Sequence, residues 1–263
     1  KNIFLTGGSK GLGQATVLEL IKHGANVAFT YFNDEQGAAN TLEKAKKIDP
    51  ACIVKDYRLD VRNSKEVDNI TNQAIEDFEG IHVVVNNAGV LNDAPLFYMS
   101  NEQWDNVLQT HLTGTFYVCR AFLEEFLANR GGKFINIASL SYTGSAGQAN
   151  YSAAKAGIIG FSKALAKEYG NKDIYCNVVV PGYFKTDLTD ANAADLIAEQ
   201  AVRLSALQRE GAPDELGKVV VFCASDLSSY VNGSVLFATG GFEILGPINE
   251  RRKKKKVKKG ENK

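Results

Sequence analysis

The sequence predicts an α/β fold: a doubly wound parallel sheet of about seven strands with helices on both faces. Three observations predict it. Short β-branched runs alternate with longer segments of helical period, the first run ends in a glycine-rich turn that opens a helix, and no composition shift interrupts the alternation before Gly246-Pro247. Read in order, strand Ile3–Thr6 leads to helix Ala15–His23, strand Asn26–Tyr31 to helix Glu35–Lys47, and strand Cys52–Arg58 to helix Ser64–Phe78. Strand His82–Asn86 precedes a long helical segment, Asn101–Asn129, and strand Lys133–Ser139 precedes helix Tyr151–Tyr169. Strand Tyr175–Val180, a helical stretch near Ala191–Leu207, helix Asp214–Cys223 and strand Ser234–Ala238 complete the pattern.

A length of 263 residues fits one large α/β domain, assigned to 1–246. With 44% hydrophobic and 23% charged residues and no apolar run long enough to cross a bilayer, the chain is expected to be soluble, without membrane insertion. The opening Lys1-Asn2-Ile3-Phe4-Leu5 reads as a strand and leaves no room for a signal peptide, so a cytoplasmic location is expected. Cys52, Cys119, Cys176 and Cys223 are widely spaced and form no CxxC pair, which argues against a zinc site and a disulfide framework. The formal net charge of zero hides a separation. Residues 251–263 hold nine Lys or Arg and one Glu, a net +8, leaving 21 basic and 29 acidic residues, a net −8, in the remainder. The tail 247–263 is expected to be disordered. Its charge would attract an anionic partner, but no aromatic is interleaved to stack bases, and nucleic-acid binding is not expected.

Ile3–Thr6 runs into Gly7-Gly8-Ser9-Lys10-Gly11-Leu12-Gly13 and then into a helix. Such a turn lets backbone approach a pyrophosphate, whose charge meets N–H groups at the helix N-terminus, the arrangement of a Rossmann-type fold. The spacing is Thr-Gly-x(3)-Gly-x-Gly, and it is joined by Leu59-Asp60-Val61 and Asn86-Asn87-Ala88-Gly89. With these segments the chain resembles the short-chain dehydrogenase/reductase family. The resemblance implies a nicotinamide cofactor held by Gly7, Ser9, Lys10, Gly11, Leu12 and Gly13, with Asp60 and Val61 at the adenine and Asn87, Ala88 and Gly89 after the fourth strand. Cofactor choice is read at Tyr31, at the end of the second strand, where a carboxylate would select NAD by bonding the ribose 2′-hydroxyl. No carboxylate is there and Lys10 is basic, which favours NADP(H) over NAD(H). In the alternative, Lys10 is only a solvated lysine and Asp34 or Glu35 swings in to select NAD.

Tyr151-Ser152-Ala153-Ala154-Lys155 puts a phenol and an ammonium four residues apart on one helix face, an arrangement expected to lower the tyrosine pKa. Twelve residues upstream, Ser139 ends the run Phe134-Ile135-Asn136-Ile137-Ala138, with Ser141 as its possible substitute. The family resemblance implies hydride transfer to a carbonyl carbon, with Tyr151 giving the proton, Ser139 bonding the carbonyl oxygen and Lys155 binding the nicotinamide ribose. It further implies that Pro181, Gly182 and Thr186 cradle the nicotinamide.

Where many members carry Asn, this chain has His111, in His111-Leu112-Thr113-Gly114-Thr115-Phe116. The imidazole either sustains a proton relay to Lys155 or is a satisfied interior histidine beside a broken relay, leaving a weakly catalytic dinucleotide-binding scaffold. Gly147–Gly157 and Pro181–Asp187 are similar to the segments of bacterial 3-oxoacyl-[acyl-carrier-protein] reductases, so the resemblance implies a carrier-tethered or small carbonyl substrate and a homotetramer. It also aligns Arg130 and Lys172 with basic positions that rim the cleft in those reductases, the alternative being ordinary surface charge. The alternative substrate is a sugar or small alcohol with NAD. Val90–Met99, Leu140–Gln148 and Tyr183–Leu207 are the expected substrate loops, the last a mobile lid.

Overall fold

The computed structural model describes residues 1–184, 199 and 202–244. Thr186, most of the helical stretch near Ala191–Leu207 and the basic tail lie outside the described residues.

Seven parallel strands form one sheet: β1 (Asn2–Leu5), β2 (Asn26–Tyr31), β3 (Val54–Arg58), β4 (Val83–Asn86), β5 (Gly132–Ile137), β6 (Ile174–Pro181) and β7 (Val235–Ala238), in the order β3-β2-β1-β4-β5-β6-β7. This is the predicted doubly wound architecture, with the order reversing between β1 and β4. Strand alternation divides the core. Ile3, Leu5, Val83 and Val85 face one cluster, closed by α1 (Gly11–Lys22) and α7 (Pro213–Ala224) through Val17, Leu20, Leu216 and Val220. Phe4, Val84 and Phe134 face the other, closed by α3 (Ser64–Phe78) and α5 (Gly114–Ala128) through Val67, Val118, Phe122 and Phe126. Both sheet faces are therefore covered, as a parallel sheet of near-continuous apolar strands requires.

The remaining helices are α2 (Glu35–Ile48), α4 (Asn101–Leu108) and α6 (Ala149–Tyr169). The long helix expected over Asn101–Asn129 is interrupted by a π-helical turn at Gln109–Thr113, which joins α4 to α5 and carries His111. Helix α1 begins at Gly11, earlier than Ala15, because the glycine turn itself supplies its first residues. Side chains cap α2, α3 and α4, whereas Lys10 at the start of α1 makes no side-chain cap. The first N–H groups of α1 are thus left without an N-cap side-chain partner, as are those of α5, α6 and α7.

A buried polar ladder crosses the second half of the sheet. Asn86 Nδ2 donates to Asn136 Oδ1 at 2.8 Å, and Asn136 Nδ2 donates to Ser162 Oγ at 2.8 Å. It ties β4, β5 and α6 in one register at the edge where ligands of open α/β sheets bind.

Candidate active site

The glycine turn at the carboxyl end of β1 is built for close approach. Gly7 and Gly11 have φ of +75° and +56°, which favour glycine, and a Cβ on Gly13 would collide with the Gly7 carbonyl oxygen. Thr41, buried on α2, donates from Oγ1 toward the Gly8 and Ser9 carbonyls, and Ser9 is buried while Lys10 is exposed. From the β4 side, Asn87 Nδ2 donates to the Thr6 and Gly7 carbonyls at 3.1 and 2.9 Å. Thr6 Oγ1 accepts from the Asn87 and Ala88 N–H groups, each at 3.0 Å. The two loops are locked together across the topological switch, leaving a backbone cradle with an uncapped helix end. These residues fit a dinucleotide: the cradle lacks side-chain bulk at Gly7, Gly11 and Gly13, and the helix end favours an anion.

At the neighbouring edge, Val61 is buried and Arg62 grips the Asp60 carboxylate, with Nε at 2.8 Å and Nη2 at 2.7 Å. Tyr31 ends β2 in register with Arg58, a basic neighbour that strand pairing supplies and linear spacing hides. Asp34 accepts from Gly37 N at 3.1 Å as the cap of α2 and is committed there.

The candidate reactive groups meet at the carboxyl ends of β5 and β6. Ser139 has extended backbone, and its Oγ accepts from Ser141 N–H at 3.2 Å. Ser141 Oγ donates to Gln148 Oε1 at 3.0 Å, and Gln148 in turn donates to Asp93 at 2.7 Å, so the possible substitute is engaged elsewhere. Tyr151 and Lys155 lie in the first turns of α6. Lys155 is 3% exposed, its Nζ donates to the Ile137 carbonyl at 2.7 Å, and Nζ stands 5.5 Å from the Tyr151 ring centroid. Burial lowers the Lys155 pKa to about 7.

The expected lowering of the Tyr151 pKa is not what this geometry gives. Burial pushes the phenol up and outweighs the Ser139 hydroxyl, which pulls it down, while Asp93 adds to the rise. Lys155, itself pressed toward neutrality, is too weak a charge to reverse this.

His111 is buried and meets Tyr151 edge-on, with ring centroids 5.0 Å apart at 87°. Its Nε2 lies 3.0 Å from Val90 N and 2.8 Å from Val90 O, whereas Nδ1 has no partner. Burial first, and the Lys155 charge second, lower its pKa to about 3, so the ring is neutral. Gly89 leaves room for it, since a Cβ there would strike His111 Cε1.

Pro181 ends β6, and Gly182 N–H donates to the Ala238 carbonyl of β7 at 2.9 Å, placing both on the same edge. Loops 90–99 and 140–148 are clipped to each other by Ala94 N–H to the Gly147 carbonyl at 2.9 Å. Leu96, Phe97 and Tyr98, on the first of these, are 72%, 91% and 75% exposed, an apolar lip beside the cleft. Within a single chain Arg130 and Lys172 do not rim this cleft. They precede β5 and β6, so parallel strands carry them to the amino edge, opposite Ser139 and Pro181. Thr41 and Arg58 carry no signal in the linear sequence, and Thr6 only that of the threonine preceding the glycines.

Comparison with known proteins places this geometry. The family model described as "Enoyl-(Acyl carrier protein) reductase" matches residues 7–243. The 3-oxoacyl-[acyl-carrier-protein] reductase FabG of Chlamydia trachomatis serovar D is 40% identical over 244 residues, covering 92% of this chain and 96% of that protein. The protein of that name from Staphylococcus aureus (strain Mu50) is 35% identical, covering 92% and 97%. Among solved structures, a putative short-chain alcohol dehydrogenase from Sinorhizobium meliloti 1021 aligns with a TM-score of 0.88 at 31% identity, covering 93% of this chain and 96% of that one. Levodione reductase aligns with a TM-score of 0.87 at 28% identity, covering 92% and 96%. The chain belongs to the short-chain dehydrogenase/reductase family and is an NAD(P)-dependent oxidoreductase acting on CH–OH groups.

Proposed function

We propose that this short-chain dehydrogenase/reductase uses NADPH to reduce a ketone to a secondary alcohol, with a 3-oxoacyl thioester tethered to acyl carrier protein as its substrate. The observation that carries the reading is the convergence of Ser139, Tyr151 and Lys155 on the sheet edge that holds the glycine cradle. The names of the relatives supply the substrate class.

The bound nicotinamide supplies the hydride. Tyr151 supplies the proton: a phenol raised by burial is protonated at neutral pH, the form needed of an acid in the direction of reduction. Ser139 Oγ receives the Ser141 N–H on a lone pair, which leaves its own O–H to donate to the substrate carbonyl oxygen. Lys155 spends one N–H on Ile137, and its remaining N–H groups would be available to the ribose hydroxyls. Pro181 and Gly182 would receive the carboxamide end, a role the family resemblance also assigns to Thr186, which lies outside the described residues.

Preference for NADPH is supported by the side chain that ends β2, which is a phenol and not a carboxylate, although exposed Glu35 stands near enough to act on it. Tyr31 stands there, Asp34 is engaged as a helix cap, and Arg58 and Lys10 are basic. A homotetramer packed through α4, α5 and α6 completes the reading; a monomer by light scattering at micromolar concentration would refute that part. Among the described residues no helix is long and apolar enough to cross a membrane.

The test follows NADPH absorbance with an acetoacetyl or longer 3-oxoacyl thioester, beside NADH and Tyr151→Phe controls. Oxidation faster with NADPH than with NADH and abolished by Tyr151→Phe is expected. Tight NADPH binding without turnover of any such thioester would overturn the substrate assignment.

A further inference from the structure

Nδ1 of His111 is a side-chain nitrogen, buried among the described residues, with no hydrogen-bond partner. Its ring is held on three sides: Val90 at Nε2, Gly89 at Cε1 and the Tyr151 ring at its edge. We propose that His111 is a positioning residue that locks the Asn87–Val90 loop to Tyr151, takes whichever tautomer suits the polar group lying against Nδ1, and carries no proton through the site.

Val90 presents both its N–H and its carbonyl to Nε2, at 3.0 and 2.8 Å. In one neutral tautomer Nε2 accepts from the Val90 N–H and Nδ1 bears the proton. In the other, Nε2–H donates to the Val90 carbonyl and Nδ1 offers a lone pair. Each tautomer satisfies one peptide group of Val90 and releases the other, so the Val90 side does not choose between them. The partner at Nδ1 does. An unpartnered buried polar atom is costly, and its pairing favours the bound state of the site.

The same contacts close the ring as a proton conduit. A proton entering at Nδ1 would have to leave from Nε2, where the Val90 peptide neither takes up nor yields one near neutrality. Charging the ring is opposed by burial and by Lys155, which with Tyr151 faces it from α6. Tautomer exchange therefore waits on local opening, and the tautomer set when a ligand enters persists through turnover.

The inference rests on the proposed function for its kinetic arm and for the choice of NADP+ and alcohol as ligands. Long-range 1H–15N spectra of histidine-labelled protein, assigned with His111→Asn, are recorded from pH 5 to 9 with and without NADP+ and then with the alcohol product. His111 is expected to stay neutral throughout and to resolve into one tautomer, with its Nδ1 shift moved, as ligand saturates. A ring that titrates in this range, or nitrogens unmoved by both ligands, overturns the proposal. In kinetics, His111→Phe keeps the ring volume but loses Val90, and a fall in kcat of at least tenfold is expected. His111→Asn is expected to recover most of that loss and to keep the pH limbs of kcat in place; a displaced limb would show the ring exchanging protons and refute the second half. Absence of wild-type thioester turnover would instead refute the proposed function, with the spectra still deciding this point.

Discussion

Replacing Thr6 with valine isolates one side-chain oxygen that joins the two halves of the cofactor cradle. Thr6 is 2% exposed, and its Oγ1 accepts from two backbone N–H groups, of Asn87 and Ala88, each at 3.0 Å. Valine preserves shape and leaves both donors unanswered. Each orphaned donor costs about 1–3 kcal/mol, and since Asn87 and Ala88 are partly exposed, water recovers some of this, giving a loss of about 2–3 kcal/mol. In a chain of this size about 1 kcal/mol moves the melting temperature by ~2–4 °C, so Thr6→Val should melt about 4–12 °C lower. Thr6→Ser keeps the oxygen and removes one methyl group, a cost of about 1 kcal/mol. Thermal melts of the three proteins, followed by NADPH titration by fluorescence, should show Thr6→Val losing both stability and cofactor affinity. A Thr6→Val melt within 2 °C of wild type, or a Thr6→Ser loss as large as that of valine, would refute the reasoning.

Acid should expose the neutral histidine. The folded His111 resists protonation until about pH 3 while the unfolded ring takes a proton near 6.5, so its contribution to stability drains away as pH falls between those values; the melting difference between His111→Asn and wild type should move in favour of the variant over that range. Lys155 is expected to act higher. Its burial penalty is complete below about pH 7 and relieved as pH climbs toward the unfolded value of about 10.4, so a Lys155→Met gain in melting temperature should be larger at pH 6 than at pH 10. Tyr31→Asp should lower the NADPH-to-NADH ratio of kcat/KM at least tenfold, about 1.4 kcal/mol, by setting a carboxylate against the 2′-phosphate; an unchanged ratio would move cofactor choice away from β2. In thiol titration of the native protein, half-buried Cys52 should react first, while Cys119, Cys176 and Cys223, all at 1% exposure or less, wait for denaturant.

The strands and the glycine turn were legible in the sequence because period and punctuation agree there: Ile3–Thr6 is apolar, the next seven residues contain four glycines, and a helical pattern follows. The spacing of Tyr151 and Lys155 survives folding unchanged, since four residues is nearly one helical turn. What sequence could not show arises from register and burial. The π-helical turn at Gln109–Thr113 hides in a stretch that reads as one continuous helix, because inserting one residue into a turn leaves no compositional mark. Arg58 reaches Tyr31 only through strand pairing. Spacing suggested that Lys155 would depress the tyrosine pKa; the depth at which both sit reverses the sign. Arg130 and Lys172 are remote from the cleft of their own chain for a topological reason: a residue just before a parallel strand cannot stand at that strand's far end.

The seam between β1 and β4 also bears on how the protein is made. Gly7 is held by Asn87, 80 residues later, and the Asn87–Val90 loop is held in turn by His111. A ribosome extending the chain at about 5–20 residues per second releases the glycine turn several seconds before its clasp. Until then the nascent chain presents the glycine turn proposed to bind phosphate without the walls that define it, so cofactor would not template the first half of the fold. Arrested chains ending before residue 87 should therefore fail to retain NADPH, and those exposing residue 111 and the strands beyond it should begin to do so.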